Sequence, residues 1–178
     1  MIILRKVAII LFVAIVTTAC KNRPNNLPKT PVSEAKKKFE VVNRALVDKD
    51  RERIEAYISR HRLEGMEENK SGLYYLVWGE GHGPKAKAGD IVLISYKISM
   101  LDGTELYSSE TDKPKEFLVG KGGVEAGLEM AILHMQQGQK GKFILPPHLG
   151  HGLLGDNDRI PPMAVLVFDV ELLAIIES

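Results

Sequence analysis

The chain has 178 residues, of which 44% are hydrophobic and 26% charged, with a formal net charge of +1 and one cysteine. The near-neutral charge excludes a strongly basic nucleic-acid binder, so we expect no nucleic-acid partner. The apolar content excludes a disordered chain, and a single cysteine excludes an intrachain disulfide framework. The length allows one globular domain with extensions.

The first twenty residues have the pattern of a lipoprotein signal. Arg5 and Lys6 precede an apolar run, Val7–Val16, that is too short to span a bilayer, which takes about 20 residues. Small residues then lead to Cys20, as in the bacterial lipobox, where the cysteine is lipidated and becomes the mature N-terminus. We expect residues 1–19 to be removed and the protein to be exported and held by a lipid on Cys20, at the outer membrane facing the periplasm. An ordinary signal peptide with an incidental cysteine is the alternative.

Residues 20–32 are expected to form a tether, because three prolines and three asparagines oppose regular structure there. From Ser33 to residue 70 the chain is basic and helical in pattern, with apolar residues such as Phe39, Val42 and Leu46 at helical spacings. The charged run Asp48–Arg53 predicts an interruption, with Asp50 capping a second helix that ends near Leu63.

Three roles compete for this basic helical segment. It packs against the main domain, forms a homodimer through residues 33–63, or lies on anionic lipid with its basic face. Short helices are marginal alone, so the apolar stripe is expected to be buried by one of these contacts. Packing and dimerisation are favoured over lipid contact, because a charged run is more often a solvated face.

Residues 72–178 read as one α+β domain. Short strands separated by glycine turns predict an antiparallel sheet, and the spacing of Leu128, Ala131, Ile132 and Met135 predicts one short helix over 127–135. The predicted strands, in order, are 73–78, 91–101, 105–109, 117–119, 140–145 and 165–176.

The same stretch carries several motifs at fixed spacing. They are Val92–Tyr96, Asp102-Gly103, Ser108-Ser109, Phe117-x-x-Gly120, Met135-x-x-Gly138-x-Lys140, Ile160-Pro161-Pro162 and Leu166–Leu173. In this order, over nearly all of residues 72–178, they resemble the FKBP-type peptidyl-prolyl isomerases. The resemblance implies a curved antiparallel sheet wrapped around one short helix.

The resemblance also implies a substrate pocket. The retained pocket members are Tyr96, Phe117, Val124, Ile160 and Phe168. The departures from the family pattern are Leu106-Tyr107 in place of Phe-Asp, Lys115 in place of an aromatic, Glu125 in place of Ile, Leu128 in place of Trp and His151 in place of Tyr. We expect catalytic roles for Tyr96, Tyr107, Glu125, His151 and Phe168, and substrate-binding roles for Leu106, Phe117, Val124, Leu128 and Ile160. The departures predict a reduced rate and put macrolide binding in doubt.

Isomerisation of an Xaa-Pro bond needs no reactive group. The barrier, about 18–20 kcal/mol, arises from amide resonance, and a dry apolar pocket disfavours the charge-separated planar amide. A backbone N–H, such as that of Glu125, can hold the carbonyl, so we expect no cofactor and no metal. The predicted partners are unfolded or envelope proteins that contain proline.

Two other classes of function remain open, a binding module and a metal site. The altered pocket fits a weakly active or inactive binding module or chaperone in an envelope assembly such as gliding machinery. A metal site is the second, because His148, His151, Asp156 and Asp158 lie in one loop and carry zinc-compatible ligands. Phosphate binding is excluded, because Gly120-Lys121-Gly122-Gly123 lacks the P-loop order.

Overall fold

A computed structural model describes residues 32–176, with the backbone alone for Val32, Thr111 and Asp112. The predicted signal segment 1–19, Cys20 and the tether up to residue 31 lie outside the described residues. The elements in chain order are α1 (Val32–His61), β1 (Glu67–Glu68), β2 (Tyr74–Trp78), β3 (His82–Lys85), β4 (Ile91–Met100), β5 (Glu105–Ser108), α2 (Ser109–Asp112), β6 (Lys115–Leu118), α3 (Ala126–Ile132), β7 (Gln136–Gln137), β8 (Lys140–Leu145), a 3₁₀ turn (Pro147–Leu149) and β9 (Leu166–Ile176).

The main sheet is antiparallel and has the order β1-β2-β8-β9-β4-β5, with β6 also paired to β4. A second, two-stranded sheet joins β3 to β7. The long strands β4 and β9 pair from Ile91 opposite Ile176 to Met100 opposite Leu166, with one register shift after Leu93. Side chains alternate between the two faces of a strand, so apolar residues at every second position of β4 and β9 share the core face.

The short helix α3 packs on one face of the sheet and closes the main core. Leu128, Ala131, Ile132 and Met135 are all buried, as their spacing predicted. The helix is shorter than predicted, because it ends at Ile132 and Met135 follows in a turn. At Gly127 the helix approaches the sheet closely, since a Cβ there would lie 2.5 Å from Leu145 Cγ. The predicted α+β fold, a curved sheet around one short helix, is confirmed.

The opposite face of the sheet is covered by the second half of α1. Ile54 and Tyr57 join a buried cluster with Tyr74, Ile144 and Val167. Ile144 lies between Phe143 and Leu145, which belong to the main core, so the two clusters sit on opposite faces of β8. Residues 42–178 accordingly form one compact unit, and 32–41 are the described part of a second unit.

The prediction of two helices is wrong, because α1 is continuous from Val32 to His61. The charged run Asp48–Arg53 contains no glycine or proline to break the helix, and Asp50 and Arg53 form an ion pair of 3.1 Å across one turn. The helix ends before residue 70, and Glu67–Glu68 instead pairs with β2. Within residues 32–176, no helix is both long and apolar enough to cross a membrane.

Replacing Ile54 with alanine tests whether α1 is an integral part of the domain. Ile54 is 1% exposed, so we expect a loss of about 2–5 kcal/mol in the free energy of unfolding. The matched control is Phe39→Ala, because Phe39 lies on the same helix and is 70% exposed. Urea unfolding of both variants measures this, and equal small losses would show that the helix contributes little to the domain.

Candidate active site

A cavity of about 310 Å³ opens between the sheet and α3. This volume lies at the lower end of the range for small-molecule pockets, roughly 300–1,000 Å³. The lining combines an apolar interior with charged and polar groups. The lining residues are Tyr96, Ile98, Tyr107, Lys115, Glu125, Leu128, His151, Asp156, Ile160 and Phe168.

The apolar part of the cavity comes from three rigid elements and one loop. Tyr96 and Ile98 lie two residues apart on β4 and therefore face the same side. Ile98 pairs directly with Phe168 on β9, and Phe168 is fully buried. Leu128 of α3 and Ile160 of the loop before β9 complete this surface. Because four of these five residues lie on strands or a helix, the apolar surface is held in place without a ligand.

A hydrogen-bond network ties this loop to β5. The Tyr107 hydroxyl donates to Asp156 Oδ2 at 2.5 Å and lies 3.2 Å from Asp158 Oδ2. The other Asp156 oxygen accepts the backbone N–H groups of Asp158 and Ile160, at 2.9 and 2.8 Å. The Arg159 guanidinium lies 4.8 Å from the centre of the Tyr107 ring and donates to the Leu106 carbonyl. These bonds hold the loop over the cavity.

The network shifts two pKa values in opposite directions. The hydrogen bond to Asp156, together with desolvation, raises the pKa of Tyr107 to about 12. Burial acts to raise the pKa of Asp156, but bonds from Tyr107 and from the N–H groups of Asp158 and Ile160, with the nearby His151, outweigh it. They lower the pKa of Asp156 to about 2. At neutral pH the pair is therefore a phenol donating to a carboxylate.

We expect a pH-dependent contribution of Asp156 to stability. Its pKa is lowered on folding from the ordinary 3.8, so the contribution is present above about pH 4 and is lost as the pH falls towards 2. The stability difference between the wild type and Asp156→Asn should therefore narrow over that window in urea unfolding. Glu116→Gln is the control, because Glu116 is an exposed carboxylate on β6. A difference between wild type and Asp156→Asn that stays constant from pH 5 to pH 2 would contradict the assignment.

Polar groups also meet on the α3 side of the cavity. Glu125, at the start of α3, lies with its Oε1 3.0 Å from His151 Nε2 in the loop. The Glu125 side chain is nearly buried. Both groups line the cavity and bond to each other. They form part of its wall, and a volume of about 310 Å³ remains open. Lys115 on β6 also lines the cavity, and no ion pair joins it to any side chain that the structure describes.

The structure brings together seven of the ten residues singled out from the sequence. These seven are Tyr96, Tyr107, Glu125, Leu128, His151, Ile160 and Phe168. The other three do not line the cavity: Leu106 and Phe117 are buried in the main core cluster, and Val124 packs against it. Their roles in substrate binding stay predictions, as do the substrate-binding roles of Leu128 and Ile160 and the catalytic roles of the other five lining residues.

Three lining residues were not proposed as site residues from the sequence. Ile98 carried a usable signal, because it lies two positions after Tyr96 on the same strand. Lys115 was noted only as a departure from the family pattern. Asp156 was considered only as a metal ligand, because nothing in the sequence pairs it with Tyr107, 49 residues away.

The four side chains of the metal hypothesis have other partners. His148 Nε2 lies 2.9 Å from the Ser71 carbonyl, and His151 bonds to Glu125. Asp156 and Asp158 both lie within hydrogen-bond distance of the Tyr107 hydroxyl. Over residues 32–176, no group of three or more His, Cys, Asp or Glu side chains is placed to hold a metal ion. The geometry gives the metal hypothesis no support.

Comparisons with known proteins agree on one family. Residues 83–173 match the model of the FKBP-type peptidyl-prolyl cis-trans isomerases. The FKBP-type peptidyl-prolyl cis-trans isomerase FkpA of Aeromonas hydrophila is 39% identical over 144 residues, which cover 78% of this chain and 53% of the relative. The crystal structure of FkpA from Escherichia coli superposes with a TM-score of 0.63 at 27% identity, covering 97% of this chain and 82% of that one.

The matched region is often a small part of a longer relative. Mouse peptidyl-prolyl cis-trans isomerase FKBP9 is 41% identical over 94 residues, which are 52% of this chain and 16% of the mouse protein. The similarity therefore concerns the isomerase domain of such relatives and not their whole length.

Proposed function

This chain belongs to the FKBP-type peptidyl-prolyl cis-trans isomerase family, and from that membership we propose that its cavity isomerises Xaa-Pro bonds of exported or envelope proteins without a covalent step. The family relatives are named as isomerases, which supports the proposed enzyme class. The client class and the mechanism are proposed as well.

The mechanism follows from the electronic structure of the amide. The planar Xaa-Pro amide carries separated partial charges, which the twisted amide largely loses. A pocket that excludes water and presents apolar side chains therefore stabilises the twisted form relative to the planar one. The Glu125 N–H donates to no described group, as is usual in the first turn of a helix, and is proposed to hold the carbonyl that rotates.

One observation carries this proposal: the apolar surface of Tyr96, Ile98 and Phe168 bounds an open cavity, and four of the polar groups around the cavity are bonded in two pairs. Glu125 bonds to His151, and Asp156 to Tyr107. Neither pair fills the cavity, so room remains for a proline ring.

The test is isomerisation of a set of Xaa-Pro tetrapeptides by the full chain. We expect turnover above the spontaneous rate and a loss of at least about tenfold in kcat/KM for Tyr96→Ala. Tyr75→Ala is the matched control, because Tyr75 lies on β2 outside the cavity. A wild-type rate equal to that of buffer would overturn the proposal.

A binding module without useful turnover is the second candidate. It is favoured by the four acidic and basic side chains that line the cavity, Lys115, Glu125, His151 and Asp156. Lys115 and Glu125 stand where the family pattern has apolar residues. The same assay separates the candidates when it is paired with peptide binding by fluorescence anisotropy. Binding without turnover would establish the module.

The proposed location is the outer membrane, reached by export and held by a lipid on Cys20. The support is the sequence pattern of residues 1–20. Mass spectrometry of the mature N-terminus tests it, with Cys20→Ala expected to release the protein from the membrane fraction. An unmodified cysteine in a soluble product would contradict the proposal.

Homodimerisation through residues 33–63 is proposed as well. Phe39, Val41 and Val42 are exposed apolar residues on α1, which is the kind of surface that association buries. Sedimentation equilibrium of the wild type and of a Phe39→Ser, Val42→Ser variant tests it, and two monomeric profiles would exclude it.

A further inference from the structure

We propose that the turn Leu153–Leu154, with the apolar groove beside it, is a second binding site that holds an apolar stretch of the client chain next to its proline. The proposal rests on the isomerase function above and concerns a different surface, since neither leucine lines the isomerase cavity.

The two leucines are the most exposed large apolar side chains of the described chain. Leu153 is 71% exposed and Leu154 is 77% exposed. A single exposed leucine is ordinary on a protein surface. Two adjacent ones, of which Leu153 also lines an apolar groove, form a patch of the kind that marks binding sites.

The turn is fixed in this exposed position by backbone bonds at both ends. The Gly152 N–H donates to the Pro147 carbonyl at 2.7 Å, and the Met163 N–H donates to the Gly152 carbonyl at 3.0 Å. On the other side, the Asp156 N–H donates to the Ile160 carbonyl at 3.2 Å. The leucines are therefore presented to solvent by an anchored turn.

A groove of about 290 Å³ begins at this turn and ends on α1. Its apolar walls are Leu46 and Val47 of α1 together with Leu153 and Met163. Val47 is itself exposed. The groove thus extends the apolar surface of the leucines by the length of a few residues.

The position of this patch indicates the occupant. His151 and Asp156 both line the isomerase cavity. Leu153 lies two residues after His151, and Leu154 lies two residues before Asp156. Two residues span at most about 7 Å, so a client with its proline in the cavity passes within a few residues of the patch. An apolar residue at that point in the client chain is the ligand that fits.

The experiment compares three peptides on the full chain. They are an Ala-Leu-Pro-Phe tetrapeptide, a dodecapeptide with the same core flanked by leucines, and its counterpart flanked by serines. We expect the wild type to prefer the leucine-flanked peptide over the serine-flanked one by about tenfold in kcat/KM, and to bind it about tenfold more tightly. The Leu153→Ser, Leu154→Ser variant should lose both preferences and keep the tetrapeptide rate.

The matched control is Leu118→Ser, Leu133→Ser, which removes two exposed leucines elsewhere and should keep the preference. An unchanged preference in the Leu153, Leu154 variant overturns the proposal. The proposal is also overturned if the Leu153→Ser, Leu154→Ser variant keeps the peptide preference and differs from the wild type only in self-association, measured by sedimentation, or in binding to anionic vesicles. If the tetrapeptide is not turned over at all, the isomerase function fails, while anisotropy with the labelled dodecapeptides still decides the binding site.

Discussion

Replacing Phe168 with alanine is expected to lower the free energy of unfolding by about 3–5 kcal/mol, the largest stability effect predicted for this protein. Phe168 is fully buried near the start of β9, between Ile98 of β4 and Phe143 of β8. Removing the ring leaves a cavity in the core. Because β9 is hydrogen-bonded to β4 on one side and to β8 on the other, the strands cannot move together to fill that cavity without disturbing the sheet. Urea unfolding measures the loss, and a change below about 1 kcal/mol would show that the core can collapse onto the site.

A milder change separates the role of Phe168 in the cavity from its role in the core. Phe168→Leu keeps an apolar side chain and the fold but removes the ring that bounds the cavity, so we expect kcat/KM on Xaa-Pro peptides to fall at least about tenfold. Phe143→Leu is the matched control, because Phe143 is equally buried, pairs with Phe168 and does not line the cavity. Equal losses of activity in both variants would mean that stability alone accounts for the effect.

Replacing Gly155 with alanine is expected to remove most isomerase activity while leaving the sheet folded. Gly155 has φ +71°, and a Cβ there would overlap the Ile160 carbonyl oxygen and crowd that of Pro161. The loop has to shift to accommodate the methyl group, and it carries His151, Asp156 and Ile160 into the cavity. We expect a loss of at least about tenfold in kcat/KM and of about 1–3 kcal/mol in stability.

Gly152→Ala is the control for this prediction. Gly152 lies in the same loop with φ +62°, so alanine carries a similar backbone strain, but nothing lies within 4 Å of its Cβ. Its activity should stay close to that of the wild type in the same peptide assay. Activity retained in Gly155→Ala would show that the position of the loop does not control the cavity.

Much of the fold was readable from local pattern. The strands β2, β4 and β8 and the helix α3 were predicted within a few residues, because apolar residues at strand or helical spacing mark the parts of the chain that the core buries. The error at α1 has the same origin. A charged run looks like an interruption in a hydrophobic pattern, although charged side chains are compatible with a solvated helix.

The candidate site was readable only in part. Tyr96 and Phe168 were identified because they stand at retained motif positions. Ile98 was missed, although strand alternation places it on the same face as Tyr96. Asp156 was not identified as a partner of Tyr107, because the two lie on β5 and a distant loop and no periodicity connects them. The same holds for Glu125 and His151, 26 residues apart.

The amino-acid sequence alone determined the α+β architecture, because that depends on spacing along single strands and one helix. Its motifs carried the resemblance to the isomerase family, and the resemblance implied most of the apolar cavity. Only the tertiary structure decided which charged groups face one another around the cavity, which predicted residues are core instead of lining, and that Leu153 and Leu154 stand exposed beside it. These features depend on contacts between segments far apart in the chain, and a loop without periodicity records no such contact in its own residues.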